Sequence, residues 1–417
     1  MTPDEFLNIC NQALGVLFLL FYSYQIIYMI VPFFVKKKQK TNKKLCRYAV
    51  MIAARNEEQV IKNLIDSITA QDYPSRLIDV FVVADNCTDG TAETARSAGA
   101  EVWERYDDNC IGKGYALSFL LSKIHGKYGK IFDGYFIFDA DNLLSPNYIT
   151  EINKVFSSEY PIVTGCRNSK NYGNTWISAG NALRFLRESE YLNRSRMLLG
   201  TDCSVNGTGF VISREVLLRS GGWRFFLTSE DTEFAADCIL HGESIGYCHD
   251  AVFFDEQPLT FSQSWMQRIR WTRGYMQVFG KYGPQMIKGF FHGNFACYDV
   301  GMSNFPAMIL SFIGLSIWAV TVFVSQALGL SLIPLAEMTL SSFIGSYVGA
   351  LIIAGFTTAT KWRLIHAPWY KKVLYIFTYP VFMLTYIPIS AVAIFGKPEW
   401  QQIKHTEAVT LREVVKS

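Results

Sequence analysis

Residues 134–142 read GYFIFDADN, and their pattern indicates the fold class. Its apolar run is typical of a buried strand, and it ends in two carboxylates at alternate positions, Asp139 and Asp141. In open α/β sheets, ligands bind beyond the carboxyl ends of the strands. Because the chain turns there, both carboxylates can reach one divalent ion and a diphosphate, as is usual for magnesium. The alternatives are a solvated acidic loop or an Asx turn leading into Ser145 and Pro146.

Short apolar runs alternate with helical patterns throughout residues 45–165. Strands are predicted at 45–54, 77–84, 100–105 and 134–142, and helices at 57–70, 88–97 and 115–124. This βαβ order predicts an α/β domain with a mostly parallel sheet and flanking helices. Asp85 follows the second strand in the string DNCTDGT, where it is a ligand-binding candidate. The same string supplies helix caps, Thr88 or Asp89, so part of it has a structural explanation.

Two later motifs add carboxylates and glycines. Residues 206–217, NGTGFVISREVL, contain Gly207 and Thr208 in a loop that enters a strand, where glycine allows close backbone approach to a ligand or a plain turn. Glu230 and Asp231 begin a helix that is predicted to run to about residue 241. The helix dipole alone favours acidic residues in a first turn, whereas a catalytic role requires one carboxylate to face the substrate.

Residues 267–271, QRIRW, join an amide, two guanidinium groups and an indole within one or two turns of a predicted helix. The guanidinium groups of Arg268 and Arg270 suit phosphate oxygens, and the face of Trp271 suits a sugar ring. The same residues also suit a basic amphipathic helix lying on a membrane surface. The surrounding sequence has to decide between the two.

Residues 11–35 contain no charge and are long enough to cross about 30 Å of hydrocarbon as a helix. Seven Lys or Arg follow within residues 36–47, which places that side in the cytoplasm. A signal peptide is the alternative, but its basic residues would precede the apolar run. We therefore predict an uncleaved anchor.

Three further apolar runs lie at about 299–326, 336–358 and 371–395. The loop between the first two has no Lys or Arg and the next loop is rich in them, which again predicts a cytoplasmic catalytic domain. Pro380 and Pro388 allow the last run to span with a kink or to dip and return, so the side of the tail stays open. The predicted organisation is an anchor at 1–35, an α/β domain at 36–274, an interfacial amphipathic segment at 275–298, membrane helices within 299–396 and a polar tail at 397–417.

Composition excludes some functions. The formal net charge is +3, without a global basic field, so no nucleic-acid partner is expected. Nine cysteines are scattered singly without a C-x-x-C or Cys/His ligand spacing. This pattern favours a reducing compartment over a disulfide framework or a zinc site.

Taken together, these motifs resemble the membrane-bound family 2 glycosyltransferases, which include bacterial cellulose synthase, hyaluronan synthases and poly-N-acetylglucosamine synthases. The resemblance covers about residues 47–290 with the motifs in the same order. The chain departs from the pattern in three ways: Ser229 precedes the acidic pair instead of threonine, about four spans are fewer than in cellulose synthase, and no regulatory domain follows the last span. Polymer secretion is therefore the least supported part of the resemblance.

The resemblance implies a GT-A nucleotide-sugar domain, a UDP-sugar donor, Mg²⁺ or Mn²⁺, and transfer with inversion. It implies these roles by position: donor binding by Asp85, Lys113 in GKGYAL, Asp139, Gln267, Arg268 and Arg270; metal binding by Asp139 and Asp141; catalysis by Asp231 as general base beside Glu230; and acceptor binding by Trp271, Gly207 and Thr208. The sequence shows no Ser-His or Cys-His pair for a covalent route, which agrees with a single displacement.

The resulting hypothesis is a multi-pass enzyme of the plasma membrane that adds sugars to a growing β-linked polysaccharide. The alternative is transfer to a lipid acceptor, such as a polyprenyl phosphate or a glycolipid. A third class is a catalytically silent membrane scaffold that keeps the fold without the chemistry. The expected partners are the UDP-sugar, the polysaccharide or lipid-linked acceptor, membrane lipids, and an export or accessory subunit.

Overall fold

The computed structural model describes residues 3–36, 44–157, 159–304, 306–396, 405 and 407–416. Most of the predicted basic run after the anchor and the first part of the predicted polar tail lie outside these ranges. Within them, one sheet has eight strands in the order β3-β2-β1-β4-β7-β6-β8-β5. The strands are β1 (Tyr48–Ala54), β2 (Ile78–Asp85), β3 (Glu101–Arg105), β4 (Gly134–Asp139), β5 (Leu143–Leu144), β6 (Ile162–Ser169), β7 (Phe210–Ser213) and β8 (Ile245–Asp255).

Helices flank this sheet and continue beyond it. They are α1 (Pro3–Tyr22), α2 (Tyr24–Phe34), α3 (Ile61–Thr69), α4 (Thr91–Ser97), α5 (Lys113–Tyr128), α6 (Tyr148–Val155), α7 (Trp176–Arg187), α8 (Arg194–Leu199), α9 (Arg214–Arg219), α10 (Glu230–Leu240), α11 (Phe261–Phe291), α12 (Phe295–Asn304), α13 (Pro306–Ala327), α14 (Ile333–Thr360), α15 (Trp369–Leu384), α16 (Tyr386–Phe395) and α17 (Leu411–Lys416). A π-helical turn, Glu188–Asn193, joins α7 to α8.

The first four strands are parallel, so their carboxyl ends meet at one edge of the sheet. In this register Ala53 of β1 pairs with Asp139 of β4, and Ala54 pairs with Ala84 of β2. Strand β1 is buried along almost its whole length, as expected for a central strand covered on both faces. The pairing of β4 with β7 is antiparallel, which makes the sheet mixed. The predicted α/β fold class is confirmed.

Two predicted helices start later than the sequence pattern suggests. The first begins at Ile61 rather than residue 57, because the backbone N–H of Glu57 donates to Thr91 Oγ1 instead of entering a helical turn. The second begins at Thr91, whose backbone N–H donates to Asp89 Oδ1. Asp89 therefore has a structural role at the helix start, but the N-cap residue is Gly90 without a side-chain cap bond, so the predicted cap at Thr88 or Asp89 is wrong.

Four helical segments of the described chain are long and apolar enough to cross a membrane: residues 5–34, 309–327, 333–360 and 369–395. They correspond to the four predicted apolar runs. The second lies within α13, which begins at Pro306, whereas the predicted run begins at residue 299, a buried aspartate of α12. The last segment breaks at Thr385 between α15 and α16.

Helices α7 and α11 lie between the sheet and the membrane helices. Helix α7 begins with a capping box between Thr175 and Ser178 and packs closely on α15, where a Cβ at Gly180 would lie 2.5 Å from the Phe382 ring. Helix α11 packs Ile269 against α16. Because α11 is continuous from residue 261 to 291, the predicted boundary between residues 274 and 275 falls inside a single helix.

A fully buried ion pair ties three of these helices together. Arg196 of α8 donates from Nε and Nη2 to Asp299 of α12 at 2.8 and 2.6 Å. The phenol groups of Tyr24 and Tyr28 on α2 donate to the same carboxylate at 3.0 and 2.8 Å. This carboxylate therefore has four donors and no contact with solvent.

Candidate active site

The predicted motifs gather around a cavity of about 1160 Å³ at the carboxyl edge of the parallel strands. Strand ends, the glycine loop and helices α5, α7, α10 and α11 each contribute residues to its wall. The predicted residues that line it are Asp85, Lys113, Asp139, Asp141, Gly207, Glu230, Asp231, Gln267, Arg270 and Trp271. Thr208 and Arg268 do not line it.

Asp85 lies at the end of β2 in a nearly buried ion pair. Arg105 Nη1 donates to Asp85 Oδ1 at 2.5 Å. Burial raises the pKa of the Asp85 carboxyl, and the arginine opposes this rise. The ion pair fixes the position of the Asp85 carboxylate at this edge of the cavity.

Lys113 connects the donor side of the cavity to the glycine loop. Its Nζ donates to Asp139 Oδ1 and, at 2.6 Å, to the carbonyl oxygen of Gly207. The two glycines of GKG explain how the lysine reaches this position. Gly112 has a φ of 138°, which L side chains rarely adopt, and Gly114 lies against the backbone of Phe225, whose oxygen would be 2.1 Å from an added Cβ.

We expect Gly114→Ala to destabilise the chain by about 1–3 kcal/mol, because the added methyl group has to displace backbone. The displacement would also move Lys113 away from Asp139. The matched control is Gly126→Ala on the same helix, where nothing lies within 4 Å of an added Cβ. That change should be neutral or stabilising by about 0.5–1 kcal/mol. Thermal unfolding of the two full-length variants tests this, and equal melting temperatures would contradict it.

The loop after β4 is held by hydrogen bonds that include Thr208. The Thr208 hydroxyl bonds with Asn142 Oδ1 and accepts from the backbone N–H of Asp139 at 2.8 Å. Asp141 Oδ2 accepts from the backbone N–H of Glu256 at 2.8 Å. The prediction that Thr208 binds the acceptor is therefore wrong: its side chain is buried behind the carboxylates and supports them.

The carboxylates fit a metal that also uses substrate oxygens. Asp139 and Asp141 face the same cavity. In the part of the chain that the structure describes, no three His, Cys, Asp or Glu residues are grouped to hold an ion by themselves. Buried Asp255, whose Oδ1 has no hydrogen-bond partner among the described residues, also lines the cavity. Such a donor set suits Mg²⁺ or Mn²⁺ held by one or two carboxylates plus a diphosphate.

Two features of this wall have no counterpart in the sequence motifs. Arg167 of β6 donates to Asp255 Oδ2 from Nε at 2.7 Å, and burial raises the pKa of Asp255 to about 6 against the effect of that arginine. His405 Nδ1 lies 2.9 Å from Glu57 Oε1. Both contacts join residues far apart in the chain, so local patterns carry no signal for them.

The acidic pair begins α10 and faces Lys113. Burial raises the pKa values of both Glu230 and Asp231, while Lys113 lowers both. A Cβ at Gly274 of α11 would lie 2.0 Å from Ser229 Oγ, so α11 packs directly on the residue before the pair. The pair is thus held in the cavity wall, where burial favours the protonated form of both carboxyl groups and raises the pKa of Glu230 to about 7.

Helix α11 divides the QRIRW motif between two faces. Gln267, Arg270 and Trp271 line the cavity, and Gln267 Oε1 and Arg270 Nε are buried there without partners among the described residues. Arg268 lies on another face, where its Nη1 donates to Phe382 O at 3.2 Å and to Thr385 Oγ1 at 2.7 Å. The predicted diphosphate contact of Arg268 is therefore wrong, because this side chain is fully buried against the break between α15 and α16.

Comparison with known proteins identifies the family. The model described as "Glycosyltransferase like family 2" matches residues 46–274, more than half of the chain. The chain belongs to this family. The match contains every motif that lines the cavity, and it ends within α11, just after QRIRW.

Several curated relatives are similar over more than half of the chain. The probable glycosyltransferase YdaM of Bacillus subtilis is 25% identical over 63% of this chain and 63% of its own length. The beta-monoglucosyldiacylglycerol synthase of Synechocystis is 26% identical over 56% of this chain and 48% of its own length. The chain thus spans about half to two thirds of the length of these relatives.

One solved structure shares the fold over nearly the whole chain. The mannosyltransferase PcManGT from Pyrobaculum calidifontis, in complex with GDP-Man and Mn²⁺, aligns with a TM-score of 0.61 and 17% identity. The alignment covers 94% of this chain and 99% of that one. The GT-A fold of the family 2 domain is confirmed.

The charges around the family 2 acidic pair predict its pH dependence. Because burial raises both carboxyl pKa values, the acid limb of kcat/KM should lie above the ordinary carboxyl pKa of about 4. At pH values below these pKa values the carboxylates are protonated and cannot accept a proton from an acceptor hydroxyl, so kcat/KM should fall. We expect Lys113→Met to move the limb to higher pH, because the charge that favours both carboxylates is removed. The control is Lys123→Met on the exposed face of the same helix, and equal limbs for both variants would contradict the prediction.

Proposed function

We propose that the chain is an inverting glycosyltransferase that moves a sugar from a nucleotide-sugar, UDP-linked in the first instance, to an acceptor hydroxyl at a membrane surface. The observation that carries this proposal is the convergence of three groups on one cavity. They are the carboxylates after β4, the acidic pair at the start of α10, and the cavity-facing residues of QRIRW.

The proposed mechanism assigns each group one task. Asp231 accepts the proton of the attacking hydroxyl, which typically contributes about 10²- to 10⁴-fold to the rate. Arg270 binds the departing diphosphate and stabilises the charge that develops on it. Asp139 and Asp141 would hold Mg²⁺ or Mn²⁺, which neutralises diphosphate charge when bound. Lys113 orients Asp139 and keeps the acidic pair ionisable. A single direct displacement by the acceptor hydroxyl, with the diphosphate as leaving group, inverts the anomeric centre.

The first candidate acceptor is a growing β-linked polysaccharide. Trp271 supports it, because an indole beside the base offers a platform for a sugar ring. Among the relatives, the probable glucomannan 4-beta-mannosyltransferase 3 of Arabidopsis thaliana is named for a polymer product. In this case the enzyme would extend one chain repeatedly and pass it onward, with or without an accessory subunit.

The second candidate acceptor is a lipid, and the placement of α7 and α11 favours it. Both helices contribute to the cavity wall and also pack on α15 and α16. An acceptor hydroxyl can therefore come from the bilayer side. The relative from Synechocystis is named as a diacylglycerol glucosyltransferase of this kind.

We also propose a location and a domain division. The catalytic domain faces the cytoplasm of a plasma membrane and is held by the anchor within residues 1–35 and by the helices within 299–396. The proposed interfacial segment at 275–298 consists of the end of α11 and the start of α12, and it lies along the membrane surface. The charge distribution around the apolar runs supports this orientation.

The test is release of UDP or GDP from a panel of nucleotide-sugars by the purified full chain with Mg²⁺ or Mn²⁺. We expect turnover of one donor that is lost with EDTA and restored by the metal. Arg270→Ala should raise KM for that donor and lower kcat, whereas Arg214→Ala, far from the cavity, should change neither. Product size then separates polymer from glycolipid, and absence of turnover with every donor would contradict the proposal.

A further inference from the structure

The membrane-side wall of the cavity contains an arginine that the proposed mechanism does not use. Arg184 lies in the last turn of α7 and lines the cavity. Its Nη1 is buried without a hydrogen-bond partner among the described residues, and the negative charge of Glu188, one turn further on, acts on the guanidinium without an ion pair. A buried N–H donor without an acceptor is costly, so an oxyanion that accepts from this N–H would be favoured.

Two aromatic rings hold this guanidinium at the acceptor end of the cavity. Arg184 Cζ lies 4.8 Å from the centroid of the Phe185 ring and 5.2 Å from that of Trp271. Stacking on ring faces fixes a guanidinium group without consuming its N–H donors. Because Trp271 is the proposed platform for the acceptor, the free donors of Arg184 lie where an acceptor would bind.

A second buried arginine increases the positive charge behind this wall. Arg268 uses its Nη1 on the carbonyl and hydroxyl oxygens at the break between α15 and α16, and its Nη2 is buried without a partner in the described chain. Burial lowers the pKa of Arg268 to about 10, and Arg184 is close enough to contribute to this lowering. Arg268 thus adds positive charge behind the wall that Arg184 lines, while its own side chain lies on another face of α11 and does not line the cavity.

The position of Arg184 indicates whether the oxyanion that it binds belongs to a lipid or to a soluble molecule. Helix α7 packs on α15 through Gly180, and its apolar residues join a cluster with α14 and α15 that includes Leu183 and Tyr379. A molecule bound at Arg184 therefore lies against helices long and apolar enough to cross a bilayer. An acceptor anchored in the bilayer would present its phosphate beside these helices, which favours a lipid phosphate over a soluble sugar acid.

We propose that Arg184 is a specificity-determining residue that binds the phosphate of a membrane lipid, so that the acceptor is a phospholipid with a free headgroup hydroxyl. This inference rests on the proposed transferase function and names its acceptor class. The phosphate accepts paired N–H donors from Arg184, the headgroup ring or glycerol lies over Trp271, and the hydroxyl points toward Asp231.

Lipid retention by the full chain in detergent, measured without any donor, tests the binding step. The probes are phosphatidylglycerol and diacylglycerol with the same acyl chains, since both offer a hydroxyl and only the first carries a phosphate. We expect the wild-type chain to retain phosphatidylglycerol about tenfold better, equivalent to about 1.4 kcal/mol. Arg184→Gln should retain the two lipids equally, with diacylglycerol retained as well as by the wild-type chain. Arg184→Lys should recover part of the preference for phosphatidylglycerol.

Four results would overturn the assignment. One is equal retention of both lipids by the wild-type chain, and another is an unchanged preference in Arg184→Gln. The third is an equal loss in Lys288→Gln, an exposed basic control on α11, because that would indicate general surface attraction. Displacement of the lipid by inorganic phosphate at equal concentration would also contradict a lipid source.

Transfer experiments separate failure of this inference from failure of the proposed function. Radiolabel that moves from the nucleotide-sugar into phosphatidylglycerol supports both. Transfer only to diacylglycerol or to polymer overturns the phospholipid assignment and leaves the transferase intact. Absence of donor turnover contradicts the proposed function, and the retention measurement still decides whether Arg184 binds lipid phosphate.

Discussion

Asp231→Asn is expected to lower kcat for sugar transfer by about 10²- to 10⁴-fold while leaving donor affinity nearly unchanged. The amide has the shape of the carboxylate but cannot accept the proton of the attacking hydroxyl. Asp231 is well placed for this task because burial raises its pKa while nearby Lys113 keeps it ionisable. Single-turnover transfer and donor binding, measured separately on the full chain, give the two quantities.

The matched control for this experiment is Asp237→Asn on the same helix. Asp237 faces away from the cavity and pairs with Arg219 at 2.5 Å. Its neutralisation removes the same charge from α10 and should leave kcat within about twofold, because exposed ion pairs contribute little. If Asp231→Asn retained wild-type kcat, another group would have to be the base, and Glu230 is the carboxylate next to it in the cavity wall.

Asp299→Ala is expected to destabilise the folded chain by about 3–5 kcal/mol. The substitution leaves the Arg196 guanidinium fully buried without its counter-charge and removes the acceptor of the Tyr24 and Tyr28 hydroxyl groups. Thermal unfolding in detergent or nanodiscs should show a large decrease in melting temperature. At low temperature, where the variant stays folded, it should still turn over the sugar donor, because Arg196 and Asp299 do not line the cavity.

Two controls separate lost charge pairing from lost packing. The double substitution Arg196→Met with Asp299→Leu removes both charges and should recover much of the stability, since apolar replacements of buried pairs are often neutral. Asp66→Ala breaks the exposed pair with Lys62 and should cost only about 0.3–0.5 kcal/mol. If the double variant were as unstable as Asp299→Ala, uncompensated burial of Arg196 would not be the cause.

Much of the fold could be predicted because it depends on local patterns. The apolar runs that become β1, β2 and β4 are short and separated by helical periods, and parallel pairing then places their carboxyl ends together. Asp85 and Asp139 therefore share an edge that the sequence already indicated. The start of α10 at Glu230 follows from the same kind of local signal, since acidic residues favour a first helical turn.

The errors arose where a motif was treated as one unit. Residues 267, 270 and 271 share a helix face, but residue 268 is rotated by about 100° from residue 267, so Arg268 points elsewhere. Thr208 is a similar case: it belongs to the same motif as Gly207, but the loop directs its hydroxyl toward Asn142 instead of the cavity. Contacts such as Arg167 with Asp255 depend on pairing between distant segments, and no local pattern in a single sequence encodes them.

The continuity of α11 decides how this protein can be prepared. A fragment cut to residues 46–274 would end in mid-helix and uncover Ile269, which packs on Ile389 and Ala393. It would also remove the two oxygen acceptors of Arg268 Nη1, Phe382 O and Thr385 Oγ1. We therefore expect such a fragment to aggregate, and the smallest preparation that keeps α11 intact has to be purified together with α15 and α16.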